Sequence, residues 1–286
     1  MAAPLWRNGP DPRRGRAATV RGPFVLGVAA GIPTSFSRPT ALAPERTRGD
    51  AIGYGGPAGM PTLYPGAPPM ITAVSASLVA FETPTDPADL LKARAGRARF
   101  LLVPERGYLV IDGAGAPGEE RFREAMGALY PVAYTLHFTL KRRGVTASVG
   151  ALEGLYWFGH VPGPIDAADF ERRTPAEWRW RLLLPLPEAA TMEEVQGAIR
   201  EVAARKSPPA LPLLRQERWA EGKAAQTLHV GPYAAEPPTI AMLHEAIAAA
   251  GYRPSGCHHE IYLGDPNRSA PERLKTIIRQ PVEIAQ

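Results

Sequence analysis

The sequence has only one cysteine, Cys257, and no apolar run that approaches the length of a membrane span. A lone cysteine excludes an internal disulfide and fits a reducing compartment. The apolar stretch 24–30 is too short for a good signal-peptide core, and Pro33 follows it closely. We therefore expect a cytoplasmic protein with no membrane partner.

Residues 1–70 lack lysine and any regular hydrophobic period, but they contain 12 Pro and 11 Gly. Such a composition cannot bury enough apolar surface to offset the entropy lost on ordering. The sequence therefore predicts a disordered Pro/Gly/Arg-rich tail over 1–70 and a folded domain over 71–286. Met60 and Met70 are plausible alternative starts, so the tail is a candidate for a mis-assigned start.

The positive charge of the chain belongs to this tail, which has 8 Arg against 3 acidic residues. The remaining residues balance, with 25 basic and 25 acidic side chains. The folded part therefore gives no sign of a nucleic-acid partner. The tail itself could bind polyanions, although an unselected coding region of high GC content yields the same composition.

Local patterns predict alternating helices and strands after residue 70. The predicted helices cover 86–94 with Asp86 as cap, 119–142 with a kink at Pro131, 191–206 with a Thr191/Glu194 capping box, and 236–250 before Gly251. The predicted strands cover 100–103, 108–111, 151–158, 178–184, 225–230, 258–263 and 276–284, the last as an edge strand because of Pro281.

The same order of elements occurs twice, in 108–184 and again in 225–284. LEGLY at 152–156 also echoes HEIY at 259–262, which aligns Glu153 with Glu260. The predicted fold class is therefore α+β, with duplicated strand-helix-strand-strand units, pseudo-twofold symmetry and a central ligand cleft.

Alternation along the strands predicts what would line this cleft. On the predicted strand 151–158, Glu153 and Trp157 share one face. On 258–263 the residues that share a face are His258, Glu260 and Tyr262, and on 178–184 they are Trp178 and Trp180. Two carboxylates among aromatic rings would suit a flat, hydrophobic, even cationic ligand. Apolar walls would also raise the pKa of a glutamate and make it a usable acid or base.

Structural interpretations compete with this one. A tryptophan at strand spacing is more often core than ligand wall, and either glutamate could pair with Arg179, Arg181 or Arg253. His229 precedes Gly231-Pro232 and could simply stabilise a turn. Cys257, His258 and His259 are adjacent on one strand and have no second cluster, so we expect neither a metal nor a cofactor.

Several motifs resemble a known family. They are HVGPY at 229–233, EPPTI at 236–240, HHEIYLGDP at 258–266 and PERLKTIIRQPV at 271–282, with YLVIDGAG, LYPVAY, LEGLYW and TPAEWRW upstream. Together they resemble the GyrI-like small-molecule-binding proteins over about 100–286. They look most like its stand-alone branch of cyclopropanoid cyclohexadienone hydrolases, which detoxify DNA-alkylating antibiotics of the yatakemycin and duocarmycin kind.

The resemblance implies a hydrolase that opens a cyclopropane by adding water and so gives resistance. It implies Glu260 and Glu153 as the acid–base pair, with Tyr134 as a further catalytic candidate. The implied substrate-binding residues are Trp157, Trp178, Trp180, Tyr233, Tyr262, His229 and His258. His137 stands where relatives often have Lys. No helix-turn-helix pattern precedes Phe100, which argues against a transcription regulator.

The expected partner is a hydrophobic aromatic small molecule, bound by a monomer or a weak homodimer. Two alternatives remain open from the sequence. One is a binding protein that sequesters a drug without turnover, and the other is an inhibitor of gyrase.

Overall fold

The computed structural model describes residues 79–285, apart from the side chain of Glu171. The predicted tail over 1–70 and the alternative starts Met60 and Met70 lie outside these residues. Between residues 79 and 285 the chain forms seven strands and four α-helices. The strands are β1 (Arg99–Ala114), β2 (Leu152–Phe158), β3 (Trp178–Pro185), β4 (Arg215–Val230), β5 (Tyr252–Pro254), β6 (His258–Tyr262) and β7 (Lys275–Ile284). The helices are α1 (Glu120–Arg142), α2 (Asp169–Arg172), α3 (Met192–Arg205) and α4 (Pro237–Ala249).

The strands pair in the order β4-β1-β3-β2-β6-β7-β5, and an additional β4–β7 pairing closes six of them into a barrel-like sheet. Every strand pair is antiparallel. The two halves, β1-α1-β2-β3 and β4-α4-β6-β7, are equivalent, because β1 pairs with β4 and β2 pairs with β6. The predicted α+β fold with duplicated units and pseudo-twofold symmetry is therefore confirmed.

One face of the sheet carries the helices. The apolar residues of α1 recur every three or four positions and pack with α3 against Leu109, Ile111 and Leu182. Helix α4 packs its own apolar side on Ala225 and Ile278 in the other half. The side chains between these two helix–sheet layers form the candidate site described below.

Most predicted elements have the expected type and close bounds. Helix α1 continues through Pro131, and the Thr191/Glu194 capping box opens α3. Gly251, directly after the α4 cap, has a φ of +81°, as its predicted role after the helix requires. None of the described helices is both long enough and apolar enough to cross a membrane.

Four predicted elements are corrected in their type or extent. Strands 100–103 and 108–111 are one long strand, because β4 pairs with it on both sides of Pro104. The predicted strand 225–230 starts earlier, as β4, in a polar stretch where alternation gives no clear signal. The helix expected over 86–94 is a short 3₁₀ turn capped by Asp86.

Strand β7 is not an edge strand, since it pairs with β4, β5 and β6. Pro281 is tolerated because it stands where the ladders end. The pairing with β6 stops at Arg279, and the pairing with β4 stops at Pro281 itself.

Candidate functional site

Two buried glutamates face each other between α4 and the sheet. Glu260 lies in the middle of β6 and is 7% exposed, and Glu236 directly precedes α4 and is 2% exposed. Two prolines, Pro237 and Pro238, begin α4, where their missing N–H groups cost no helical hydrogen bond. They fix the point at which the chain enters the helix and so hold Glu236 against the sheet.

Glu260 is held by its neighbours on the same face of β6. Nε2 of His258 donates to Oε1 of Glu260 at 3.1 Å, and the hydroxyl of Tyr262 donates to Oε2 at 2.7 Å. The Tyr262 hydroxyl also meets that of Tyr156 on β2 at 2.5 Å. Residues 258, 260 and 262 share a face because strand side chains alternate, so the sequence itself brings these three groups together.

The two carboxyl groups differ in protonation. Burial raises the pKa of Glu236 well above its ordinary value, and the neighbouring charge of Glu260 raises it further. Burial also acts to raise the pKa of Glu260, but the hydrogen bonds from His258 and Tyr262 outweigh burial and lower it. These opposite shifts favour a proton on Glu236 and a negative charge on Glu260, and a protonated Glu236 can donate a hydrogen bond to its neighbour.

Aromatic rings surround this pair. Tyr233 meets Tyr262 edge to face at a centroid distance of 5.7 Å, and Tyr156 meets Trp178 in the same way at 6.0 Å. Phe170 lies 5.7 Å from Trp178. Burial and the charge of Glu260 raise the pKa values of Tyr156, Tyr233 and Tyr262, so all three stay neutral hydrogen-bond donors.

Glu153 does not belong to this site. Across the β2–β6 pair Glu260 lies opposite Gly154, whereas Glu153 lies opposite Ile261. Directly opposed residues point to the same side of a sheet, so the two glutamates lie on opposite faces. The expectation that they share one cleft is therefore wrong, because the sequence echo aligned the strands one residue out of phase.

Glu153 instead joins a buried ionic cluster on the other face. His259 is fully buried between Glu221, at 2.9 Å from Nδ1, and Glu153, at 3.2 Å from Nε2. The Glu153 contact is close but is not aligned as a hydrogen bond. Arg279 bonds to Glu221 at 3.1 Å and to Gln226 at 2.8 Å.

Charge is balanced within this cluster. Burial would lower the pKa of His259, but the two carboxylates outweigh it and raise this pKa to about 9. Burial likewise opposes ionisation of Glu221, but His259 and Arg279 lower its pKa. Arg106, at 3.8 Å, is a second cationic neighbour of Glu153. This set of paired charges is a structural network, and the partners expected for Glu153 are engaged elsewhere, Arg181 with Asp112 and Arg253 with Glu283.

The three predicted tryptophans have different surroundings. Trp178 contacts the rings around Glu260. Trp180 is 1% exposed, packs 5.2 Å from Phe122 and covers Gly113, where an added Cβ would lie 2.1 Å from its ring. Trp180 is therefore part of the core. Trp157 shares the face of Glu153, away from Glu260.

The remaining predicted site residues also divide into those that lie at the site and those that make structural contacts elsewhere. His258, Tyr233 and Tyr262 lie at the site. His229 bonds to Thr239 at 3.0 Å and to the carbonyl of Pro232 at 3.2 Å, which is the turn-stabilising arrangement. Tyr134 stacks on Tyr130 along α1 at 6.4 Å, at the margin of the aromatic set.

Glu236 is the functional candidate that the sequence reasoning missed. Its signal was a glutamate directly before two prolines that open a helix, inside a motif already noted for its resemblance. A shallow, open depression lies beside His137 and Pro185. It contains no buried carboxyl group, so we place the site at Glu236 and Glu260.

The fold and the buried site define a small-molecule-binding protein. Residues 202–283 match the GyrI-like small-molecule-binding domain. A crystal structure of an uncharacterized conserved protein from Listeria innocua is 30% identical, with a TM-score of 0.61, and the match covers 68% of this chain and 96% of that one. The chain therefore belongs to the GyrI-like family, and the family expected from the sequence motifs is confirmed.

Two further crystal structures are of proteins described as hydrolases from Listeria innocua. One is 29% identical with a TM-score of 0.57, and the match covers 68% of this chain and 96% of that one. The other is 30% identical with a TM-score of 0.57, and the match covers 71% of this chain and 100% of that one. No curated protein matches the chain.

Proposed function

We propose that the protein is a hydrolase that opens the cyclopropane of cyclopropyl-cyclohexadienone DNA-alkylating antibiotics by adding water, and so confers resistance. The observation that carries the proposal is the pair formed by Glu236 and Glu260, one neutral and one ionised, in an aromatic enclosure. Two similar proteins described as hydrolases support a hydrolytic activity.

The reaction requires a base for water and a donor for the ring oxygen. Water attacks the strained cyclopropane carbon and forms a C–O bond, while a cyclopropane C–C bond breaks. The electron pair of that bond moves into the dienone, which becomes a phenolate. The proton lost by water is balanced by the proton that the phenolate gains, so the product is a neutral phenol.

Glu260 is the base in this proposal, because its pKa is lowered and it is ionised at neutral pH. The donor is the protonated Glu236, since a neutral acid can hydrogen-bond the oxygen as its negative charge develops. Tyr262 donates to Glu260 and orients it. The acid–base pair expected from the sequence thus keeps Glu260 and replaces Glu153 with Glu236.

The rings provide the binding surface for the substrate. Trp178 and Tyr233 present apolar area around the carboxyl pair, and a flat conjugated dienone can stack on such rings. A protein that only sequesters a drug would use the same surface. Turnover separates the two functions, because sequestration stops at one equivalent.

The test incubates purified protein with a tenfold excess of a cyclopropyl-dienone antibiotic and follows products by mass spectrometry. We expect complete conversion to the water adduct. Glu260→Gln should lower the rate by about 10²–10⁴-fold. The matched control is Glu245→Gln, an exposed glutamate on α4, which should convert the drug at the wild-type rate.

Two outcomes would contradict the hydrolase. Unchanged drug bound one to one would indicate sequestration, and inhibition of gyrase supercoiling without any drug chemistry would indicate a gyrase inhibitor. Full activity of a folded Glu260→Gln variant would overturn the assignment of the base.

A further inference from the structure

The connection from β2 to β3 lies over the candidate site. We call residues 159–177 the cover segment. Its two ends are joined, because the N–H of Gly159 donates to the carbonyl of Glu177 at 3.1 Å and Phe158 pairs with Trp178 directly below. A segment closed at its base can move outward without disturbing the two strands that it connects.

The ion pairs of the cover segment are internal to it. Arg172 contacts Asp166 and Asp169, and Arg173 contacts Asp169 and Glu177. The capping box of Thr174 and Glu177 is internal as well. Because these polar contacts would move with the segment, its opening would not break them.

Two apolar side chains of the segment pack into the rest of the fold, and Arg179 on β3 also donates to the carbonyl of Ala176 at 3.0 Å. Ile165 is fully buried in the core next to α1. Phe170 contributes to the clusters on both halves of the sheet and meets the imidazole of His258 edge to face at a centroid distance of 6.4 Å. It also lies against Trp178 at 5.7 Å. Phe170 therefore spans the boundary between the two pseudo-symmetric halves, next to the histidine that bonds to Glu260.

The polar groups beneath Phe170 are incompletely bonded. Nε2 of His258 bonds to the Glu260 carboxylate, which leaves Nδ1 as the second polar atom of the ring. In the described part of the chain this Nδ1 is buried and has no hydrogen-bond partner. A buried polar atom without a partner is costly, and the phenyl ring of Phe170 that packs against this imidazole cannot satisfy it.

Glu260 and Glu236 are 7% and 2% exposed, so a ligand cannot reach them while these side chains stay in place. We propose that Phe170 occupies the place of the flat ring of the ligand, and that it determines which ligands are admitted. Outward movement of the cover segment withdraws Phe170. The ring of the ligand then stacks against Trp178, and a polar group of the ligand can reach Nδ1 of His258. This inference rests on the proposed site and names its specificity-determining residue.

The first test needs no ligand. Acrylamide quenching of tryptophan fluorescence is measured for the full chain and for Phe170→Ala, each with and without Trp178→Phe, so that the difference reports Trp178. We expect Phe170→Ala to raise the Trp178 quenching constant at least about twofold. Val161→Ala, at a 78% exposed position of the same segment, is the matched control and should leave quenching unchanged.

Hydrogen exchange on the wild-type protein covers the case in which Phe170→Ala does not fold. Amides of 159–177 should exchange at least about tenfold faster than those of β2 and β3, since the segment opens without them. Unchanged Trp178 quenching in a folded Phe170→Ala variant would overturn the proposal. Exchange in the cover segment as slow as in the flanking strands would also overturn it.

The second test uses the cyclopropyl-dienone substrate. Removing the competing ring should favour the open form, so Phe170→Ala should lower KM about tenfold with a smaller change in kcat. Phe170→Trp should raise KM. If KM is unchanged in both variants, Phe170 does not compete with the ligand. If the wild-type protein does not convert the substrate, the proposed function fails, whereas quenching and exchange still decide whether Phe170 covers the site.

Discussion

Glu260 on β6 lies directly opposite Gly154 on β2, across the pair of strands that relates the two halves of the fold. Tyr156 and Tyr262 each stand two residues after a member of this pair, on the same face of their own strand, and their hydroxyl groups meet. A Cβ added at Gly154 would lie 2.6 Å from the hydroxyl of Tyr156, so the phenol fills the space that a side chain at Gly154 would take. The duplicated fold therefore has a carboxylate in one half and a tyrosine hydroxyl in the other.

This relationship predicts the effect of Gly154→Ala. The new methyl group would push Tyr156, which is 1% exposed, out of its position and break its hydrogen bond to Tyr262. We expect a loss of about 1–3 kcal/mol in the free energy of unfolding, measured by urea denaturation. Gly127→Ala is the control, because nothing lies within 4 Å of its Cβ position on α1. There we expect a gain of about 0.5–1 kcal/mol, and a similar gain at Gly154 would refute the packing argument.

The pH profile of kcat/KM should have two limbs. The acidic limb reports ionisation of Glu260 below its ordinary pKa, and the alkaline limb reports loss of the proton of Glu236 above its ordinary pKa. Glu236→Gln should abolish the alkaline limb, because an amide stays neutral and can still donate. An alkaline limb that persists at the same pH in Glu236→Gln would assign it to another group.

Much of the fold could be predicted from the sequence, because the periodicity of α1 and the capping box of α3 are local signals that tertiary packing reinforced. The relative phase of β2 and β6 could not. A strand has a period of two, so an alignment error of one residue moves Glu153 from one face to the other. Cross-strand pairing decides the phase, and the residues of β2 alone do not contain that information.

The residues of the site that lie on one strand could be predicted from the sequence, whereas those brought in by other elements could not. Glu260, His258 and Tyr262 were found because they alternate along one strand. Glu236 was missed because its approach to Glu260 depends on how α4 docks on the sheet. Glu221 was missed because it lies five residues before Gln226, and regular alternation would place these two side chains on opposite faces of β4. In the structure both contact Arg279, and Gly222, with a left-handed φ of +76°, lies between them.

The two buried tryptophans of β3 should differ in what their loss affects. Trp178→Phe should weaken ligand binding, seen as a KM raised about tenfold or more, because stacking area next to Glu260 is lost. Trp180→Phe should leave KM close to that of the wild type and lower the free energy of unfolding by about 1–3 kcal/mol, since it opens space above Gly113. Substrate kinetics and urea denaturation on both variants check this. The reverse pattern would make Trp180 the ligand wall.

The His259 cluster should make stability depend on pH. The pKa of His259 is raised in the folded state from 6.5 to about 9, so its stabilising contribution is complete below pH 6.5 and is lost as the pH rises through about 9. That rise corresponds to about 3 kcal/mol. The lowered pKa of Glu221 has the opposite sign, and its contribution is lost as the pH falls below 4.5. Glu236, whose pKa is raised, also favours the folded state less as the pH rises.

His259→Gln separates the histidine from the other groups. At pH 6 it should lower the free energy of unfolding by about 3–5 kcal/mol, because two buried carboxylates lose a cationic partner. The difference between wild type and His259→Gln should then shrink steadily from pH 6.5 to 9, in a series of urea denaturations. His160→Gln is the control at an exposed histidine and should follow the wild-type curve. A difference that stays constant over this range would mean that His259 is neutral when folded, and that Arg279 and Arg106 alone balance the two glutamates.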